Sequence, residues 1–312
     1  MAKLPQTLIV LALLVATAAA FAVTERLKLE RSPITGTRVD RLFSPVCECA
    51  RDAALISFVL RQRSQVTVDV LDSAGDAVRT LVRDRDEARG RVSYTWDGRD
   101  EAGRIVPEGR YRPRVRIEEH GRTIVLPNPI RVDTTPPRIR FASVFPRAFS
   151  PDGDGRSDRV TATYEVDEIA RPMLLVDGRR RVLGRFSPRG GRLTWFGQVS
   201  GRPVRPGTYE LRLRSFDRAG NRSRRTRAVP VRVRYVELAR DRIEVVAGGR
   251  FGVRVETDAA SYRWLFAGER GVSREPLLVL TAPQEPGTYA VYVSVGRFAD
   301  RAEVVVTEPD VE

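Results

Sequence analysis

"WDGRDEAGRIVPEGRY", residues 96–111, returns later in the chain as "WFGQVSGRPVRPGTY", residues 195–209, with one residue fewer. Both copies keep a Trp at the start, glycines at matched spacings and a Tyr at the end. The charges are not kept, since Phe196 stands where the first copy has Asp97. A segment that keeps its aromatic residues and glycines but changes its charges preserves shape rather than ligands. The repeat therefore predicts a buried aromatic anchor and tight backbone turns in two similar domains.

The chain around these copies consists of short runs in which apolar and polar residues alternate. The runs that predict strands are 54–60, 65–71, 111–117, 159–166, 208–216, 229–238, 250–257, 288–295 and 301–307. Turn residues separate the runs, and no amphipathic helix of useful length lies between them. This pattern predicts an all-β chain of tandem β-sandwiches after an N-terminal helix.

A weaker third copy and two linkers suggest how the chain divides. "YRWLFAG" (262–268) is followed by "PGTYAVYVSV" (286–295), and the prolines of 132–139 enforce an extended linker. A second boundary is expected around 236–243. The predicted division is a signal or anchor segment with a linker at 1–32, then sandwiches at 33–133, 134–236 and 237–312, the last with a short tail.

The N-terminal segment predicts export. Residues 4–23 carry no charge, and Glu25 follows soon after. The run is long enough to cross a bilayer as a helix, but Ala20 to Ala22 also offer the small-x-small pattern that a signal peptidase accepts. We expect a single-pass cell-membrane protein with extracytoplasmic domains, and the alternative is secretion after cleavage of the signal.

The only two cysteines are Cys47 and Cys49. An exported chain would oxidise them if their geometry allowed it. Residues two apart in a strand are near the upper limit of separation for a disulfide, so a bridge needs a bent segment. Whether the two are bridged stays open, and no zinc-ligand pattern surrounds them.

The formal net charge is +14, and almost all the cations are arginines, because Lys3 and Lys28 are the only lysines. The arginines are spread along the chain among 40 acidic residues rather than gathered in one segment. We therefore do not expect a dedicated nucleic-acid surface. Anionic cell-wall or cell-surface polymers fit this charge better as partners.

Residues 66–117 resemble the immunoglobulin-like domain of the FlgD type, a module named for the flagellar hook-capping protein and widespread in exported bacterial proteins. The residues that carry the resemblance are Asp72, Gly75, Val78 to Leu81, Trp96 to Gly98, Asp100, Gly103 and Gly109 to Tyr111. Residues 150–221 resemble it less, because no Asp follows Trp195. The resemblance implies immunoglobulin-like sandwiches that act as spacer, adhesion or assembly modules without catalysis, and we carry over no flagellar function.

"FSPDGDGRSDRV", residues 149–160, is the segment best suited to bind a ligand. Asp152, Asp154 and Asp158 crowd carboxylates onto a glycine-rich loop, which suits a structural Ca²⁺. The pattern departs from a calcium helix-loop because Arg156 takes a ligand position. The alternative is a turn in which the Asp side chains bond nearby backbone N–H groups. Both interpretations stay open, and no cofactor is required.

Catalysis is not expected. The single histidine, His120, lies in a segment with the composition of a hairpin tip, and no Gly-x-Ser-x-Gly elbow or Walker loop is present. The acids of 83–87 read as a solvated turn, and Asp217, Gly220 and Asn221 as a hairpin turn.

These observations predict a non-catalytic, envelope-anchored or secreted immunoglobulin-like repeat protein. It would act as a spacer or interaction module, in adhesion or assembly, with an unidentified envelope protein as its partner. The alternative is a cell-wall or polysaccharide-binding protein that uses its arginine-rich surfaces.

Overall fold

The computed structural model describes residues 4–29 and 32–308. A single helix, α1 (Leu4–Leu29), comes first, and its large apolar side chains from Leu8 to Phe21 are exposed. Within the described part of the chain, no helix has the length and apolar character needed to cross a membrane. The predicted membrane anchor therefore remains a prediction, and residues 1–3 and 30–31 of that segment lie outside the described residues.

The first sandwich contains nine strands. They are β1 (Ile34–Val39), β2 (Leu42–Phe43), β3 (Ala54–Leu60), β4 (Ser64–Leu71), β5 (Ala77–Glu87), β6 (Gly90–Trp96), β7 (Gly109–Ile117), β8 (Arg122–Val125) and β9 (Ile130–Val132). One sheet has the order β1-β3-β6, and the other has the order β2-β9-β7-β4-β5 with β8 paired to β7. A 3₁₀ turn, Glu118–His120, connects β7 to β8, so the single histidine does lie at a hairpin end.

The second sandwich repeats this plan. Its strands are β10 (Ile139–Phe145), β11 (Ala148–Phe149), β12 (Val160–Val166), β13 (Arg171–Val176), β14 (Arg179–Leu183), β15 (Gly190–Trp195), β16 (Gln198–Val199), β17 (Arg202–Pro203), β18 (Gly207–Phe216) and β19 (Val229–Val233). The sheets have the orders β10-β12-β15 and β11-β19-β18-β13-β14, and β16 and β17 form a small hairpin between β15 and β18.

The third sandwich has eight strands. They are β20 (Glu237–Leu238), β21 (Arg242–Val246), β22 (Arg250–Glu256), β23 (Tyr262–Phe266), β24 (Glu269–Ser273), β25 (Leu277–Thr281), β26 (Gly287–Val295) and β27 (Phe298–Thr307). The sheets have the orders β20-β22-β25 and β21-β27-β26-β23-β24. The single strand predicted at 229–238 is wrong, because the chain leaves β19 at Val233 and starts the next sandwich at Glu237.

Each sandwich buries its own hydrophobic core between its two sheets. The alternating residues predicted to face inward do so, as in the predicted run 111–117 on β7, where Tyr111, Val115 and Ile117 are buried. The chain divides into two compact units, residues 1–134 and 135–312, and the second unit contains two of the three cores. The fold is therefore mostly β-strand with one N-terminal helix. That each sandwich is an independent domain remains a prediction.

Cys47 and Cys49 form a disulfide with their Cα atoms 5.2 Å apart. The segment lies in a turn after β2, and Glu48 between the cysteines has a left-handed backbone with φ of 49°. Because the backbone bends at Glu48, the two sulfur atoms come together in a way that a straight strand would not allow. Whether the two cysteines are bridged was open from the sequence, and the structure shows that they are.

Candidate functional site

The Trp that opens the repeated stretch is a core residue. Trp96 is completely buried, and its indole N–H donates a hydrogen bond to the carbonyl of Arg99 at 3.0 Å. The ring centroids of Phe43 and Tyr111 lie 5.5 and 5.0 Å away in edge-on contacts. Gly98, with φ of +75°, lets the loop turn back under the indole. Residues 96–111 therefore stabilise the fold, as the sequence predicted.

The second copy is built in the same way. The indole N–H of buried Trp195 donates to the carbonyl of Gln198 at 3.3 Å, and Phe149 and Tyr209 pack edge-on against the ring. Gly197 is required here, because a Cβ would lie 2.5 Å from the ring of Pro151. The charged residues of the Trp-to-Tyr loop take no part in this packing. The two copies can therefore differ in charge, as at Asp97 and Phe196, and keep the same structure.

The Tyr that ends each copy makes the same contact in all three sandwiches. Its hydroxyl donates to the carbonyl four residues earlier, which closes the loop onto the start of the next strand. The pairs are Tyr111 to Pro107 at 2.7 Å, Tyr209 to Arg205 at 2.8 Å and Tyr289 to Glu285 at 3.0 Å.

Alignment of the third copy on Trp264 was wrong. Trp96 and Trp195 end the last strand of a three-stranded sheet, and the matching strand in the third sandwich is β25, not β23. Trp264 lies on β23, half-buried, opposite Gly271, where a Cβ would be 2.8 Å from the indole. Trp264 is only partly buried and packs against the third core from β23, a strand that does not correspond to the one that ends in Trp96 or Trp195.

The structure brings the three predicted ligands together. One carboxylate oxygen from each of Asp152, Asp154 and Asp158 lies within 4.8 Å of the others. The loop also forms the local bonds of a turn, since the N–H groups of Gly153 and Gly155 donate to the two oxygens of Asp158 at 2.6 and 2.8 Å. The features of both interpretations are therefore present, and calcium at this loop stays a prediction.

No cation of the described chain compensates this cluster. Among the described residues, no Arg or Lys nitrogen lies within 4.0 Å of the three carboxylates. Burial raises the pKa of Asp152, and repulsion from Asp154 and Asp158 adds to that effect. Hydrogen bonds from the N–H of Asp154 and the hydroxyl of Ser150 lower the pKa of Asp152 and offset part of this rise.

A fourth carboxylate, which the sequence analysis missed, approaches from the third sandwich. Asp258 lies in the connection between β22 and β23, and its two carboxylate oxygens are shielded from solvent. Burial raises the pKa of Asp258 to about 6, with a further contribution from the charges of Asp152 and Asp154. Its own N–H and the nearby hydroxyl of Ser150 lower the pKa in part. Nothing in "TDAASY" (257–262) marks this residue as a ligand.

A shallow groove of about 750 Å³ begins at the aspartate loop and follows the three-stranded sheet of the second sandwich. Phe145 and Phe196 line it and are 76% and 50% exposed. The guanidinium of Arg159 lies 6.0 Å from the ring centroid of Phe196, and exposed Arg192 also lines the groove. In the sequence Phe196 stands out only as the replacement for an acid, and no local pattern predicted this surface.

One known family matches part of the first sandwich. Residues 52–120 match the FlgD Ig-like domain, which confirms the resemblance drawn from residues 66–117. No curated protein matches the chain.

Many solved structures are similar to this chain. The I-band fragment I67-I69 of titin is 10% identical over 90% of this chain and 100% of its own, with a TM-score of 0.34. The SGBP-B protein of the Bacteroides ovatus mixed-linkage glucan utilization locus is 15% identical over 88% and 71%, with a TM-score of 0.24. A C-terminal fragment of intimin, solved with its translocated receptor's binding domain, is 9% identical over 68% and 69%, with a TM-score of 0.33.

Proposed function

We propose that this chain is a non-catalytic immunoglobulin-like repeat protein of the bacterial cell envelope that acts as a spacer and interaction module. The observation that carries the proposal is the burial of the repeated aromatic residues. Trp96 and Trp195 fill cores and bond to their own loops, so the repeated segments serve the fold. The surface left for partners consists of strand edges, exposed loops and arginine side chains.

The junction between the second and third sandwiches suits a spacer. Tyr235 is completely buried, stacks on Phe298 with ring centroids 3.5 Å apart and donates its hydroxyl to the carbonyl of Val204 at 2.7 Å. The hydroxyl of Thr257 in the third sandwich donates to the carbonyl of Tyr235 at 2.7 Å. The stacked rings and this hydrogen bond cross the short connection and resist bending, so these two sandwiches would hold a partner at a set distance.

Export is part of the proposal. The uncharged run of residues 4–23 supports either a membrane anchor or a cleaved signal. The disulfide between Cys47 and Cys49 also supports an extracytoplasmic location, because such bonds persist in oxidising compartments. The anchored form would place all three sandwiches outside the cytoplasm.

The test is to fractionate cells that express the full chain with a C-terminal tag, and to determine its N-terminus by mass spectrometry. We expect an uncleaved chain in the membrane fraction, degraded by protease added outside the cytoplasmic membrane and cross-linked to an envelope protein. A chain cut after Ala22 and released would support the secreted form. Recovery from the cytosol with Cys47 and Cys49 reduced would contradict both.

A second candidate function, binding of an acidic polysaccharide, is favoured by the groove of the second sandwich. Exposed Phe145 and Phe196 offer flat apolar faces on which sugar rings can lie. Arg159 and Arg192 stand beside them, and a guanidinium pairs well with carboxylate or phosphate groups of a polymer. Hydrophobic and cationic side chains are thus combined on one open surface.

Replacing Phe196 by Ala is expected to weaken retention of the protein on immobilised polygalacturonate by about tenfold, which corresponds to about 1.4 kcal/mol. The reason is that the ring would be lost from the groove together with its contact to Arg159. Retention is measured by affinity electrophoresis at several salt concentrations. Val272→Ala is the matched control, since this apolar residue is 66% exposed on the third sandwich. Equal retention of both variants and the unchanged protein would exclude the groove.

A further inference from the structure

We propose that the outer face of the five-stranded sheet of the second sandwich binds a linear polymer that carries phosphodiester groups. We call this surface the arginine face, and it consists of the outward side chains of β13, β14 and β18 together with residues 222–227. The inference rests on the extracytoplasmic location proposed above, where such a polymer would be met. It concerns the sheet opposite the groove and a different ligand group.

The positive charge of this protein is concentrated in the second sandwich. Residues 134–236 contain 23 arginines and nine acidic residues, so their formal charge of +14 equals that of the whole chain. The first sandwich is close to neutral, with 18 arginines and 16 acids at 33–133, and residues 237–312 contain more acids than arginines. The arginines are therefore spread along the chain, but the charge that acids leave uncompensated is not.

Alternation along β18 turns its two arginines outward. Leu211 and Leu213 are buried in the second core, whereas Arg212 and Arg214 alternate with them and lie on the other face of the strand. Residues two apart on a strand are separated by about 6.6 Å. The two guanidinium groups can therefore contact successive charged groups of an extended polymer.

The neighbouring strands add arginines to the same face. Arg212 lies opposite Leu175 of β13, and the next residue across the sheet, on β14, is Arg180. Arg171 of β13 lies opposite Phe216 of β18. Cations from three adjacent strands thus share one side of the sheet.

Residues 222–227 run beside the part of β18 that β19 does not reach. The N–H groups of Ser223 and Thr226 donate to the carbonyls of Ser215 and Leu213 at 2.9 and 3.0 Å. These bonds fix the segment against the sheet. The exposed residues that it contributes are Arg222, Arg224, Arg225 and Arg227.

Backbone carbonyls orient the central guanidinium groups. The Nε of Arg214 donates to the carbonyl of Ser223 at 3.1 Å. The Nε of Arg171 donates to the carbonyl of Gly184 at 2.8 Å. Each guanidinium is held in position but keeps its full positive charge, because a carbonyl group neutralises none of it. An anion would meet arginines that are already positioned.

Acids are scarce on the arginine face. Residues 210–227 contain seven arginines, and their only acids are Glu210 and Asp217. Glu210 pairs with Arg212 at 3.2 Å, whereas Asp217 is buried and its carboxylate accepts hydrogen bonds within its own turn. Most of the positive charge of this surface is therefore left uncompensated.

The arginines around Arg214 repel one another. Among the described residues, no carboxylate oxygen lies within 4.0 Å of the guanidinium nitrogens of Arg214, Arg222 or Arg225. Burial lowers the pKa of Arg214, and the charges of Arg222 and Arg225 lower it further. An anion that contacts several of these groups at once would relieve their repulsion.

The guanidinium group favours phosphate as the ligand. Its planar fork of donors fits two oxygens of one phosphate, and its charge persists at every physiological pH. A phosphodiester has two free oxygens, so it can also bridge neighbouring arginines.

A polymer without bases fits this surface better than nucleic acid. Proteins bind single-stranded nucleic acid with aromatic rings on which the bases stack. Phe186 and Phe216 lie at one end of the arginine face, but they pack edge-on against each other with centroids 5.8 Å apart. The guanidinium of Arg218 lies 6.0 Å from the ring centroid of Phe186. Both rings are thus engaged within the protein.

The test is binding of fluorescently labelled poly(glycerol phosphate) to the full chain, measured by anisotropy at several NaCl concentrations. We expect binding that weakens as salt rises, because counterions are released from the polymer. The double variant Arg222→Gln, Arg225→Gln is expected to bind about tenfold more weakly and to lower the salt slope by about 2. Both side chains are exposed, so this variant should fold normally.

The matched control is the double variant Arg263→Gln, Arg270→Gln. These exposed arginines lie on the outer face of the corresponding sheet of the third sandwich, and their loss should change the affinity by less than about twofold. Phe196→Ala, in the groove, should leave binding of poly(glycerol phosphate) unchanged.

Unchanged affinity in Arg222→Gln, Arg225→Gln, or an equal loss in the control pair, would overturn the arginine face. An equal loss in Phe196→Ala would show that the groove, not this face, binds the polymer. Tighter binding of polygalacturonate or of single-stranded DNA than of poly(glycerol phosphate) would overturn the ligand. None of these outcomes bears on envelope location, which the fractionation experiment tests separately.

Discussion

Replacing Trp96 by Ala is expected to lower the free energy of unfolding of the first sandwich by about 3–5 kcal/mol. Trp96 is completely buried, and its removal would leave a cavity between Phe43 and Tyr111 and abolish the hydrogen bond to Arg99. Domains are stable by only about 5–15 kcal/mol, so much of the stability of this sandwich would be lost. Scanning calorimetry of the full chain would show one transition moved to a much lower temperature.

The matched control is Trp264→Ala. Trp264 is half-buried, lies beside Gly271 and packs against the third core without being enclosed by it. Its loss should cost about 1–2 kcal/mol, because less apolar area is uncovered and water can fill the space. Equal losses for the two variants would contradict the distinction between the fully buried Trp of the repeat and the half-buried Trp of the third sandwich.

Replacing Tyr235 by Ala is expected to cost about 3–5 kcal/mol and to separate the unfolding of the second and third sandwiches. Tyr235 is buried in the second core and stacks on Phe298 of the third sandwich, so its removal weakens one core and the junction together. In the unchanged protein we expect the second unit to unfold in a single calorimetric transition. In the variant we expect two.

Tyr235→Phe separates the two contributions of the side chain. The Phe variant keeps the stacked ring and loses only the hydrogen bond to the carbonyl of Val204, so we expect a cost of about 1 kcal/mol and a single transition. Two transitions in the unchanged protein would show that the sandwiches are not coupled through this residue. A single transition in Tyr235→Ala would show the same.

Much of the fold could be predicted from the sequence, because alternation and turn residues act over only a few residues of chain. The run "ALISFVL" predicted the strand Ala54–Leu60 without error at either end, since alternation along a strand directly reflects which side chains face the core. The Trp-to-Tyr repeat predicted buried anchors because its glycines and aromatic residues recur while its charges change. The strand predicted at 229–238 failed because strand-forming residues continue through the junction, where tertiary packing, not propensity, ends β19.

Only part of the candidate site could be predicted from the sequence. Asp152, Asp154 and Asp158 lie close in sequence on a glycine loop, so their convergence follows from local chain geometry. Asp258 could not be found in this way, because the burial of its carboxylate oxygens depends on tertiary packing. The groove was missed for a similar reason, since Phe145 and Phe196 come from segments that the sheet alone brings together.

Alternation, turn residues and the repeated aromatic pattern by themselves determined that this protein consists of β-sandwiches with architectural loops, because each of these features acts over a few residues of chain. Only the tertiary structure decided that Cys47 and Cys49 are joined, that Trp264 lies on a strand other than the one that matches Trp96 and Trp195, and that Phe145 and Phe196 line one groove. Those outcomes depend on which surfaces are excluded from water when separate segments pack, and no local pattern records that.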